Sequence, residues 1–149
     1  MAGSLGGRVL YVATALPNDD PELGRRVRLH RERRPAAWGT VEAGDLASLP
    51  EEAVRWDAVL LDSLTLWISA RLYAADEEET LAGLGGFLEE ASALPTPFVL
   101  VSDEVGLGVV PESAEGRAFR DVLGAANQRA AAVAGEVHLC IAGIGVRIK

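Results

Sequence analysis

The sequence predicts an α/β protein: a mostly parallel sheet with helices on both faces. Three observations carry this. Short β-rich apolar runs recur at 8–14, 58–62, 98–102 and 137–142. Stretches of helical character separate them, the longest at 76–94 and 115–133. Strands that alternate with helices pair side by side and need a covered sheet. The 149 residues suit a single domain, 1–149, with a sizeable core.

Each element has its own warrant. The run R-V-L-Y-V-A-T (8–14) reads as a buried strand, followed by a loop at 15–19. A helix starts after it: Asp20 suits the N-cap, Pro21 the first helical position and Glu22 the positive end of the dipole. Pro35 disfavours helix in the residue before it. Residues 38–43 read as a short strand and 45–54 as turns with a short helix. A-V-L-L-D (58–62) is the second clear strand, and 64–73 is helical. The helix at 76–94 opens on four acidic residues and carries Leu81, Leu84 and Leu88 on one stripe. Gly83, Gly85 and Gly86 weaken it, each by about 1 kcal/mol relative to alanine. A strand at 98–102 leads into the loop D-E-V-G-L-G-V-V-P-E (103–112), then an alanine-rich helix at 115–133. The strand at 137–142 turns through Gly143-Ile144-Gly145 into a short last strand at 146–149, a C-terminal hairpin.

Composition removes several classes. No apolar run reaches the roughly 18–20 residues of a membrane span. The N-terminus lacks the apolar core of a signal peptide. One cysteine, Cys140, rules out an internal disulfide and suits a reducing cytoplasm; its apolar run reads as core. One cysteine and two histidines do not make a zinc site.

Charge points to one segment. Residues 25–34 carry six arginines and one glutamate, a balance of +5, in a chain of formal charge −8. Arginine grips phosphate with a fork of N–H donors, and His30 among them is able to attack phosphorus. The bland alternative stands beside this reading: Leu23, Val27 and His30 share a helix face, so His30 can be a packed residue and the arginines a solvated surface. Nucleic acid is the weaker partner, since the rest of the chain is acidic and repels a polyanion.

Parallel sheets place their sites beyond the C-terminal ends of strands. Those ends carry Thr14, Asp62 and the loop from Asp103 to Gly108. Asp62 has the placement of a Walker B carboxylate able to hold Mg²⁺, or of a helix cap. Glu104 and Glu112 read as ligands or as loop solvation. The sequence contains no G-x-x-x-x-G-K-[ST].

Together these segments resemble the bifunctional adenosylcobinamide kinase / adenosylcobinamide-phosphate guanylyltransferases of cobalamin biosynthesis. The resemblance runs over V-L-Y-V-A-T-A (9–15), R-V-R-L-H-R-E-R-R-P-A-A-W (26–38), T-V-E (40–42), L-L-D-S-L-T-L-W (60–67), V-S-D-E-V-G-L-G-V-V-P-E (101–112), R-A-F-R-D-V-L-G-A-A-N-Q (117–128) and A-G-I-G-V-R-I-K (142–149). It implies a P-loop NTPase (RecA-like) fold lacking its first strand, P-loop and first helix, which is expected to leave strand edges unpaired. It implies phosphorylation of adenosylcobinamide, then transfer of GMP from GTP through a guanylylated histidine, which falls on His30. It implies nucleotide contacts at Thr14, Ala15, Leu16, Arg31, Glu32, Arg33, Arg34, Glu42 and Asp62, with Mg²⁺ at Asp62, GTP or ATP as substrate, and a cytoplasmic homotrimer. The family's N-E-V-G reads D-E-V-G here, placing Asp103 near an anionic substrate. Impaired activity is the expectation for this form. The alternative is a non-catalytic nucleotide- or corrinoid-binding subunit, or a structural partner of a complete enzyme.

Overall fold

The structure, a computed structural model, describes residues 7–14, 21–32 and 34–149; the side chains of Pro21, Glu22, Leu23, Arg26 and His30 also lie outside the described set. Four parallel strands form the sheet: β1 (Val9–Ala13), β2 (Gly39–Glu42), β3 (Ala58–Asp62) and β4 (Phe98–Val101), in the order β2-β1-β3-β4. Among the described residues five helices accompany them: α1 (Pro21–Glu32), α2 (Leu49–Ala53), α3 (Leu64–Arg71), α4 (Glu77–Ala93) and α5 (Ala114–Val133). The expected α/β architecture is therefore present.

Strand alternation separates two faces. Leu10 and Val12 of β1, Val59 and Leu61 of β3, and Phe98 and Leu100 of β4 point into the main core. There they meet Leu49 of α2, Leu64 and Ile68 of α3, Leu84 and Leu88 of α4, and Leu123 of α5. Leu61, Ile68 and Leu84 are fully buried, and truncating such a side chain to alanine costs about 2–5 kcal/mol. On the other face, Val9 and Ala58 pack with Trp38, Leu60 and Val99 at one end. Toward the strand tips that face carries Tyr11, Thr40, Glu42 and Asp62, with Ala13 and Val101 beside them.

Local chemistry sets the helix starts. Asp76 caps α4 by accepting from the Glu79 N–H at 2.8 Å. Ser63 and Ser113 cap α3 and α5 in the same way. The predicted cap Asp20 and the loop at 15–19 lie outside the described residues.

Two expectations for the C-terminus need correction. The strand β5 (His138–Ile141) pairs only with β6 (Ile144–Arg147), antiparallel, and does not join the parallel sheet among the described residues. Cys140 is consequently exposed and not a core residue. The turn is Ala142-Gly143, with φ of 51° and 80°, one position before the expected glycine pair. A two-residue hairpin loop needs positive φ at both central residues, and the Ile141–Ile144 pairing leaves only these two to supply it.

Candidate functional site

Register brings the candidate residues together. Ala13 pairs with Glu42 on one side and Asp62 on the other, so Glu42, Ala13 and Asp62 form one row at the C-terminal tips of three strands. Two strand spacings place the backbones of the two acids roughly 10 Å apart. Ala13 between them contributes only a methyl group. One row behind, Thr40, Tyr11 and Leu60 are paired. The period of two puts both rows on the same face, opposite the core.

Arginines from α1 and the turn after it reach over these rows. Arg31 Nη2 donates to Glu42 Oε1, forming an ion pair. The Arg34 guanidinium stacks on the Tyr11 ring, 3.3 Å from its centroid. Arg34 Nη1 also donates to Thr40 Oγ1 at 3.0 Å. Both arginines have N–H groups to spare, because a guanidinium carries five. A cleft of about 630 Å³ opens beside them, lined by Arg31, Arg34, Pro35, Ala36, Trp38, Thr40, Val41 and Glu42. Its lining includes the β2 tip at Glu42 and stops short of Asp62, two strands away.

Asp62 Oδ2 accepts from the Tyr11 hydroxyl. Burial pushes the Tyr11 phenol up to about 12, and the Asp62 hydrogen bond and negative charge add to this. Among the described residues no three His, Cys, Asp or Glu side chains converge as a metal cage. One carboxylate with an oxygen to spare fits a magnesium ion held mainly by nucleotide phosphates and water.

Thr14 is buried, and its hydroxyl is used inside the protein. Oγ1 donates to the Ser63 carbonyl at 2.7 Å and accepts from the Ser63 N–H at 2.8 Å. This clasp fixes the β1 and β3 tips, and with them Ala13 and Asp62. Glu32 is exposed near the end of α1. Ala15, Leu16 and Arg33 lie outside the described residues. So does the side chain of His30, whose backbone belongs to α1 two residues before that helix ends.

The loop at 103–112 is tied down. The Asp103 N–H donates to Thr65 Oγ1 at 2.8 Å, and Asn127 Nδ2 donates to the Asp103 carbonyl at 3.0 Å. Glu104 accepts from the Gly106 N–H at 2.7 Å, so it braces its own turn. Glu112 uses its backbone carbonyl, which accepts from Arg117 at 2.7 Å.

Sequence reasoning missed Tyr11, Thr40 and Ser63. Parity was the available signal for two of them: Tyr11 lies two residues before Ala13, and Thr40 two before Glu42, on the face of the acids.

Fold and site together define an α/β protein of the P-loop type, with basic and acidic side chains over the strand tips. The family model for cobinamide kinase / cobinamide phosphate guanyltransferase, CobU, matches residues 1–148. The chain belongs to that family of transferases. It is 37% identical to the bifunctional adenosylcobalamin biosynthesis protein CobU of Escherichia coli K12, over 95% of this chain and 86% of that protein. The protein of the same name from Salmonella typhimurium LT2 is also 37% identical, with the same coverage. The bifunctional adenosylcobalamin biosynthesis protein CobP of Pseudomonas aeruginosa PAO1 is 37% identical over 100% of this chain and 87% of its own length.

Proposed function

We propose that this chain, acting as one domain, is a cobinamide kinase / cobinamide phosphate guanylyltransferase of cobalamin biosynthesis, with its nucleotide site over the Glu42–Ala13–Asp62 row. The observation that carries the reading is the approach of two arginines to this face: Arg31 to Glu42 in that row, and Arg34 to Tyr11 and Thr40 in the row behind it. Two guanidinium groups beside strand-end carboxylates suit a triphosphate.

In the guanylyl step a neutral His30 nitrogen attacks the α-phosphorus of GTP. A P–N bond forms, the P–O bond to the β-phosphate breaks, and pyrophosphate leaves with the electron pair. An oxygen of cobinamide phosphate then attacks the same phosphorus, and the P–N bond breaks to restore the imidazole. Arg31 and Arg34 offset charge on the phosphate oxygens, and Arg33 and Glu32 complete the segment. Glu42, held by Arg31, is placed to accept from a base edge or ribose hydroxyl. Asp62 would hold magnesium, which supplies neutralisation of the leaving pyrophosphate. The family resemblance assigns further nucleotide contacts to Thr14, Ala15 and Leu16. These 149 residues contain no G-x-x-x-x-G-K-[ST], and slow turnover of this form belongs to the reading. The family resemblance further supports a cytoplasmic homotrimer, which sedimentation would test.

Labelled GTP tests the function. The expected result is an acid-labile, base-stable adduct that His30→Ala abolishes. GTP binding without an adduct would replace this reading with that of a nucleotide-binding subunit.

A further inference from the structure

Tyr11 sits where a strand needs only an apolar side chain. It is 7% exposed, in the middle of β1, between Thr40 and Leu60. A valine or leucine would satisfy that position. The tyrosine instead makes two polar contacts in opposite directions. Its hydroxyl donates to Asp62 across β3, and its ring face carries the Arg34 guanidinium over β2. Arg34 is in turn fixed by Thr40.

We propose that Tyr11 is a positioning residue for the transferase site, holding the Asp62 carboxylate through its hydroxyl and seating Arg34 through its ring. This rests on the functional reading above. A carboxylate with one oxygen tied to a buried phenol loses rotation about its side-chain bonds, and its other oxygen is presented in one direction. A guanidinium stacked on an aromatic face is held in plane while its edge stays available to an anion. The two ends act on different parts of the reaction. The hydroxyl serves the group at the strand tip, and the ring serves binding of the nucleotide beside β2.

Two substitutions separate the ends. Tyr11→Phe keeps the ring and removes the donor, so GTP affinity should change less than twofold while adduct formation slows on the order of tenfold. Tyr11→Leu removes both, so GTP binding should also weaken on the order of tenfold. Thermal melts of both variants show whether the fold is retained. A residue that only fills space would not split rate from affinity in this way. Identical behaviour of the two variants, or wild-type rate in Tyr11→Phe, overturns the proposal. Should the wild-type chain neither bind GTP nor take label, the functional reading fails, and positioning is judged on thermal stability. Tyr11→Leu must couple with Arg34→Ala, and Tyr11→Phe with Asp62→Asn. Additive stabilities in both pairs overturn the proposal on that branch.

Discussion

Replacing Gly39 by alanine should damage the fold and the site together. Gly39 starts β2 on the core face, opposite Leu10. A methyl group added there would stand 2.2 Å from Trp56 Cη2 and 2.6 Å from Cζ2. Carbon atoms in contact prefer about 3.5–4.0 Å, so ring and strand must separate by roughly 1.5 Å. Trp56 is not free to swing, because its Nε1–H donates to Glu52 at 3.2 Å and its ring packs on the main core. Moving β2 instead strains its pairing with β1. Overpacking of this kind costs about 1–3 kcal/mol. For a chain of this length, 2 kcal/mol corresponds to a Tm lower by about 4–8 °C. Calorimetric melts of wild type, Gly39→Ala, Trp56→Leu and the double variant provide the assay. With the indole gone, the added methyl should cost less than about 0.5 kcal/mol, leaving a coupling above about 1 kcal/mol. GTP binding by Gly39→Ala should weaken too, since β2 carries Thr40 and Glu42. Equal costs in both backgrounds, or an unchanged Tm for Gly39→Ala, would refute the reasoning.

Three further outcomes are expected. Gly83→Ala and Gly86→Ala should each raise stability by about 1 kcal/mol in denaturant titration, because both lie inside α4 with open space where a Cβ would go. Ala142→Gly relieves the left-handed backbone at φ 51° by about 1 kcal/mol, so amide exchange in β5 and β6 should slow about fivefold; unchanged exchange would contradict the assigned turn. Asp57 is held below the usual carboxylate range, first by the Arg8 backbone N–H and then by its guanidinium. A depressed carboxyl contributes stability above its unfolded pKa and loses it as pH falls through the folded value. Asp57→Asn should therefore lower stability at neutral and alkaline pH and flatten its loss on acidification, with little change at a pH below the folded value.

The sheet was legible because its strands announce themselves. V-L-Y-V-A and A-V-L-L-D each read as strand, and both pair as expected. Asp62 was visible as a strand-end carboxylate and Glu42 through its motif. Their shared row was not, because register between strands distant in sequence depends on how helices pack. Tyr11 was hidden for a related reason: a buried tyrosine in a strand looks like core until its hydroxyl has a partner. Thr14 was visible as a strand-end residue but its clasp was not, since nothing local reveals that its hydroxyl meets the Ser63 backbone. Cys140 was misplaced because an apolar run does not disclose whether its strand finds the main sheet. The arginine segment was the loudest signal, and among the described residues Arg31 and Arg34 are the ones traced to partners; His30 rests on its motif.

The alternation along β1 carries a final consequence. Leu10 and Val12 belong to the core, while Tyr11 and Ala13 lie on the face of the candidate site. Deleting or inserting a single residue there would exchange the two sets, sinking polar groups among leucines and lifting aliphatics to the surface. Point changes keep each set on its own side, so an engineer can choose volume-conserving swaps beneath α4 and α5 without replacing a side chain of the other face.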